Sequence, residues 1–189
     1  MPRTRVLSVI PHLVREEANA VQLYLQYKGY HWNVAGPLFR DLHLLFDEHA
    51  KTVFEMIDPL AERQRMLGVA APYTMADLSA ASVVPREAGL PSTTRGMIER
   101  LIVAHRKILD GMHEGFKAAE TDGDPGSADL FARCIQDHQK MEWFLREMAS
   151  EAPPVPEEAG RLVVPSDKSS GFSTTLAPHA GPPGRQTKS

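Results

Sequence analysis

Apolar side chains recur at helical spacing through four stretches of more than twenty residues, and strand-like alternation is sustained nowhere in the chain. A bundle of α-helices is therefore the fold this chain is built to adopt. The first stretch runs from about residue 5 to 33, with Leu13, Val14, Ala18, Val21 and Leu25 on its stripe and Pro11 early enough to lie near its first turn or to kink it, and it stops at Gly36-Pro37. The second runs from about 38 to 67 and closes at Gly68, with Leu42, Phe46, Val53 and Leu60 on its stripe. Pro59 lacks an N–H and crowds the preceding turn, so this helix is expected to bend between Asp58 and Glu62 or just before them.

A connection between Pro72 and Pro91 carries a short helical pattern, TMADLSAAS. The third helix is expected over 92–121, with Ser92, Thr93 and Thr94 as cap candidates, and the fourth over 126–149, after the turn TDGDPGS. Four long helices with one long crossover make an antiparallel four-helix bundle, all-α, over residues 1–150. Residues 151–189 form a Pro/Gly-rich C-terminal extension, because seven of the chain's 15 prolines fall there. Composition predicts a disordered tail, with Leu162-Val163-Val164 or Phe172 as the segments that dock on a neighbouring subunit.

The second helix carries the chemistry. His31 and His43 precede Asp47, Asp58 and Glu62, a set of imidazoles and carboxylates that suits iron, zinc or manganese better than a thiolate or all-oxygen set would. On a continuous helix, His43 and Asp58 stand roughly 22 Å apart at 1.5 Å rise per residue, too far for one ion to bridge. Residues four apart share a helix face, so His43 pairs with Asp47 and Asp58 with Glu62, and the two pairs lie only about 60° apart around the axis. One stripe of one helix thus carries two half-sites. An antiparallel copy from a second subunit, related by a two-fold axis, brings the His half of one chain to the acid half of the other. Against this stands the plain reading of each residue alone, a packed histidine or a solvated pair of acids. No Glu is followed three residues later by His, the pair that larger ferritin-like di-iron proteins place on their helices.

From Leu23 to Gly68 the residues Lys28, Tyr30-His31-Trp32-Asn33-Val34, Gly36-Pro37, Phe39, Leu42-His43, Phe46-Asp47, Asp58 and Ala61-Glu62-Arg63 resemble the signature of the Dps mini-ferritins, the DNA-binding proteins from starved cells. A weaker similarity extends through Met148. The resemblance implies a hollow dodecamer of ferritin-like four-helix subunits that oxidises Fe(II), preferentially with hydrogen peroxide, and stores the Fe(III) mineral inside. It implies a small helix packed at the dimer interface, where the crossover lies. It also implies ferroxidase centres at two-fold interfaces, with His31, His43 and Asp47 from one subunit and Asp58 and Glu62 from its partner.

Trp32 is either ordinary core or, as the resemblance suggests, an electron donor to oxidised iron. Asp122, Asp124 and Asp129 surround the last turn. They are either acids favoured by a helix N-terminus or, in Asp124 and Asp129, the lining of three-fold pores that draw Fe(II) inward. Glu16 and Glu17 are either mineral-nucleating acids or plain surface. Arg63 is expected to form a structural ion pair, and Cys134, the single cysteine, to be a small buried hydrophobe. His49, His105, His113 and His138 have no partners at a persuasive spacing.

A net charge of −3 argues against a generally basic DNA-binding surface, so contact with nucleic acid would be local, through Arg3, Arg5, Arg161, Lys168, Arg185 and Lys188. Twelve copies would multiply such a weak contact, and a nucleoid-associated protein that shields DNA physically is the alternative function. No run approaches the ~20 apolar residues of a membrane span. The expected location is cytoplasmic, at the nucleoid if DNA is bound.

Overall fold

The structure is a computed structural model that describes residues 7–86 and 89–150. The N-terminal Arg3 and Arg5 and the whole extension from residue 151, with its basic residues and apolar segments, lie outside the described residues. Five helices follow in order: α1 (Ile10–Asn33), α2 (Phe39–Met66), α3 (Met75–Ala81), α4 (Thr94–Asp122) and α5 (Pro125–Ala149). No strand occurs among the described residues.

Local chemistry explains each boundary. α1 starts later than its apolar pattern because Pro11 occupies the first turn, where its missing N–H is not needed. Its leading amide is capped from a distance: Val9 N donates to Asp122 Oδ2 at 2.9 Å, and Ser8 Oγ donates to the same oxygen at 3.0 Å. Thr74 caps α3 and Thr93 caps α4, each hydroxyl accepting an amide three residues on. α4 ends on Gly123 with φ 70°, a left-handed conformation that suits glycine. Asp124 then caps α5 and Pro125 opens it, so two long helices meet across two residues. α2 runs as one helix with Pro59 inside it.

α1 packs most extensively on α2 and α4 on α5; α1–α4 and α2–α5 contacts join the two hairpins, and α3 lies on α1. The core is drawn from every long helix, with Leu13, Tyr27, Phe46, Leu101, Phe131 and Leu145 fully buried. The crossover is held by a polar anchor: buried Asn19 accepts hydrogen bonds from Ser82 Oγ at 3.0 Å and Val83 N at 2.9 Å. Cys134 is buried, and burial pushes its thiol up to about 12, so it packs as expected.

Close packing of α4 on α5 depends on Gly115, where a Cβ would lie 2.5 Å from Phe131 Cζ. Gly115→Ala is expected to destabilise the bundle by about 1–3 kcal/mol, the range for overpacking a filled core. In urea titrations the double variant with Phe131→Leu should lose less than the sum of the two single losses.

Candidate metal centre

The α1–α2 turn brings His31, near the end of α1, against His43, near the start of α2. Their rings stack with centroids 3.7 Å apart and planes 22° apart. Each ring bonds to the other residue's backbone: His31 Nδ1 to His43 O at 2.7 Å, and His43 Nδ1 to His31 O at 2.8 Å. A carbonyl oxygen only accepts, so each Nδ1 carries a proton, and in the neutral ring the lone pair is the one on Nε2. Both imidazoles are thereby held in the tautomer a metal ligand needs, before any metal arrives.

One turn further along α2, Asp47 is gripped by two ammonium groups, Lys28 at 2.7 Å on Oδ1 and Lys51 at 2.8 Å on Oδ2. The hydrogen bond from Lys28, then that from Lys51, hold its carboxyl well below the usual carboxylate range. Asp58 and Glu62 are exposed on the far half of the same helix, and neither side chain bonds to a described residue. Among the described residues no three His, Cys, Asp or Glu side chains of one chain converge as a metal cluster.

Several side chains do something other than the sequence suggested. Trp32 is 68% exposed in the chain, which corrects the core reading. The plain-surface reading of Glu16 and Glu17 is also corrected, because both are buried in the bundle. Glu16 accepts from Arg15 Nε at 2.9 Å and Asn19 Nδ2 at 2.8 Å, and Glu17 accepts from Gln64 Nε2 at 2.6 Å. Asp124, considered for a pore, is committed locally. Besides capping α5, it forms an ion pair with Arg63 and accepts from Ser127 Oγ at 2.6 Å. Burial opposes its ionisation, but Ser127 and Arg63 outweigh burial and hold its carboxyl below the ordinary range. Arg63 is thus the structural ion-pair residue expected of it. Asp129 is exposed and pairs with Arg133 one turn on, at 3.1 Å.

A second cluster lies inside the bundle. Tyr27 on α1 bonds through its hydroxyl to His49 Nδ1 on α2 at 3.0 Å and to His105 Nε2 on α4 at 2.6 Å. His105 Nδ1 continues to His138 Nδ1 on α5 at 2.9 Å. All four residues are buried. Burial pushes His49 down to about 4, with Lys140 adding to it, pushes His138 to about 3 and lowers His105 well below the ordinary value, the neighbouring imidazoles disfavouring a second charge. All three imidazoles are therefore neutral at pH 7. Each of these histidines sits on its helix's apolar stripe, the one trace of the cluster that the sequence carries.

Residues 10–153 match the family described as the ferritin-like domain. DNA protection during starvation protein 1 of Deinococcus radiodurans is 31% identical over 144 residues, which make up 76% of this chain and 70% of that protein. Dps from Thermosynechococcus elongatus aligns with a TM-score of 0.74 at 46% identity, over 76% of this chain and 91% of that one. The Dps protein of Vibrio cholerae O1, described as a member of a broad superfamily of ferritin-like diiron-carboxylate proteins, aligns with a TM-score of 0.71 at 25% identity, over 75% of this chain and 89% of that one. The chain belongs to the ferritin-like family and, within it, to the Dps proteins. No helix among the described residues is long and apolar enough to cross a membrane.

Glu16 supplies a test of how the bundle depends on its buried acids. Burial raises its carboxyl from 4.5 to about 7, against the hydrogen bonds from Asn19 and Arg15. The folded state therefore holds that proton more tightly than the unfolded state. Its stabilising contribution is complete below the unfolded value and is lost as pH rises through the folded one. Between about pH 4.5 and about pH 8, the stability of Glu16→Gln relative to the natural protein should rise by on the order of 3 kcal/mol. Urea titrations across that window check it.

Proposed function

We propose that this protein is an iron-storing and iron-detoxifying ferroxidase. Its centre is built across a two-fold interface of a homo-oligomer from His31, His43 and Asp47 of one subunit and Asp58 and Glu62 of the other. The reciprocal imidazole–carbonyl lock of His31 and His43 carries this reading. It prepares two Nε2 lone pairs on a half-exposed face and leaves them without the acids that would complete a coordination sphere. The exposed Asp58 and Glu62, one turn apart, offer the complementary half without a histidine.

Fe(II) is the substrate. Asp47 is already ionised, so it takes up a cation without releasing a proton, and an arriving ion competes with Lys28 and Lys51 for its oxygens. The mixed imidazole and carboxylate set suits iron in both oxidation states, the carboxylates offsetting the added charge of Fe(III). In the reaction two Fe(II) give one electron each to hydrogen peroxide, which with two protons becomes two waters. No one-electron peroxide product is released. The Fe(III) so formed is stored as mineral within a hollow oligomer, which by family resemblance is a dodecamer. Asp129 is the better of the two pore candidates, because its pair with Arg133 is exposed, whereas Asp124 is buried against Arg63.

His31→Gly combined with His43→Gly should abolish rapid peroxide-dependent Fe(II) oxidation, followed in a stopped-flow instrument, while the oligomer survives. Mixing refolded His43→Gly subunits with Asp58→Ala subunits should restore part of the activity, because some interfaces then join an intact His half to an intact acid half. Hybrids no more active than either parent would place the site within one chain.

Physical protection of DNA is a second reading, supported by relatives such as the starvation protein of Deinococcus radiodurans. It rests on bases near the chain ends, in a protein of net charge −3. If Arg161, Lys168, Arg185 and Lys188 carry it, removing residues 161–189 should reduce both duplex retention in mobility-shift titrations and its salt dependence, leaving iron oxidation intact. Either function fits a protein of the cytoplasm, at the nucleoid where DNA is bound.

A further inference from the structure

The internal cluster takes one residue from each long helix, and counting its protons fixes how it is wired. One proton belongs to the Tyr27 hydroxyl, and one lies between His105 Nδ1 and His138 Nδ1. Suppose the phenol donates to His105 Nε2. His105 must then carry its proton on Nδ1 and donate to His138, which keeps its own proton on Nε2. His49 donates through Nδ1 to the phenol oxygen. The opposite arrangement makes the 2.6 Å contact an N–H···O bond, shorter than the usual range of about 2.7–3.2 Å for such bonds. A phenol is a stronger proton donor than a neutral imidazole N–H, and an imidazole nitrogen a stronger acceptor than a phenol oxygen, so an O–H···N bond is the one that closes to this distance. The phenol therefore points at His105.

A phenol that loses one electron becomes a far stronger acid and gives up its proton to any base in contact. Tyr27 has such a base at 2.6 Å and a second imidazole behind it, so its proton can move to His105 Nε2 while the Nδ1 proton of His105 moves on to His138. The low basicity of these buried rings means that the proton returns when the electron does. Of the four tyrosines, only Tyr27 bonds to an imidazole among the described residues. The Tyr30 hydroxyl takes a hydrogen bond from Gln26, and Tyr73 is 90% exposed. Tyr27 also lies one helical turn before His31 on α1, roughly 6 Å along the axis at 1.5 Å per residue. That separation is short for electron transfer, and complete burial shields a radical from water and from other radicals.

We propose that Tyr27 is a redox-active residue that supplies one electron to the iron centre beside His31 while its hydroxyl proton passes to His105. The inference rests on the ferroxidase reading above and deepens it. It operates when peroxide meets a centre that holds a single Fe(II). That Fe(II) and Tyr27 each give one electron to the peroxide, the O–O bond breaks, and two protons from solvent complete two waters. Iron leaves as Fe(III), and the phenol becomes a neutral phenoxyl radical with its proton held on the imidazole pair. The second electron thus comes from a buried ring and hydroxyl radical is not released. Trp32, the donor that the family resemblance suggests, is exposed in the chain and lacks this paired base.

The test uses the full-length assembled protein, loaded with less than one Fe(II) per subunit, mixed with excess hydrogen peroxide and freeze-quenched for electron paramagnetic resonance. A phenoxyl signal that narrows on ring-deuteration of tyrosine is expected, lost in Tyr27→Phe and weaker and shorter-lived in His105→Gln. Both variants should keep stopped-flow oxidation of paired Fe(II) unchanged. An unaltered signal in Tyr27→Phe overturns the proposal, as does the absence of a phenoxyl signal in natural protein that does oxidise Fe(II). If Tyr27→Phe does not assemble, His105→Gln decides by the lifetime of the signal, and an unchanged lifetime overturns it. If the natural protein does not oxidise Fe(II), the ferroxidase reading fails instead. Flash-generated tris(bipyridine)ruthenium(III) then tests Tyr27 without iron: a phenoxyl signal absent from Tyr27→Phe supports the proposal, and an equal signal in both proteins, or none in the natural protein, overturns it.

Discussion

Two crossed hydrogen bonds organise the working end of this molecule, each running from a histidine ring to the backbone of the other histidine across the α1–α2 turn. His43 Nδ1 satisfies a carbonyl at the end of α1, and His31 Nδ1 adds a second donor to a carbonyl in the first turns of α2, so they close the turn as well as orient the rings. The same pair decides which nitrogen of each ring is free. A turn that depended on Gly36 and Pro37 alone would set the path of the chain but leave the imidazoles to rotate. Because the closure of the turn and the choice of tautomer are one interaction, folding the hairpin also orients the two rings that we propose as ligands.

The acids follow the opposite rule. Asp58 and Glu62 sit where α2 faces outward, and no cation in their own chain neutralises them among the described residues. Asp47 and Asp124, by contrast, are both claimed, by Lys28 with Lys51 and by Arg63 with Ser127. A buried carboxylate held by a fixed cation, as Asp124 is, serves the fold. One left bare on a helix face is available to a metal ion or to a second subunit. This difference in local pairing separates Asp58 and Glu62 from Asp124, whereas Asp47 in the proposed half-site reaches a metal only by exchanging its lysines for it.

The sequence made some of this legible and hid the rest, for reasons of range. Helix limits depend on neighbours a few residues away, so the cap among Ser92, Thr93 and Thr94 and the turn TDGDPGS could be read, and the structure moves those boundaries by only a few residues. The His43–Asp47 and Asp58–Glu62 pairs were readable because four-residue spacing fixes a shared face. Burial of Glu16 could not be read, since it depends on Asn19 and on α4 backbone that approaches closely only because residue 111 is glycine. The link from Tyr27 to His105 spans 78 positions in sequence, and no local pattern records it. The exposure of Trp32 could not be read either, since it is decided by which side of the helix end the turn leaves open.

The buried histidine chain makes a further demand on the bundle. With each ring neutral, the chain ends in two atoms without a protein partner, His49 Nε2 and His138 Nε2. Proton counting makes one of them an unpaired donor and the other an unpaired acceptor, whichever way the chain is wired. Each such buried group costs about 1–3 kcal/mol. An apolar replacement would remove that cost, as Phe and Leu do at neighbouring core positions. Stability alone therefore does not account for three imidazoles and a phenol placed at the meeting point of four helices. Their arrangement does what an apolar core cannot: it lets a proton move within the bundle interior while every heavy atom stays where packing holds it.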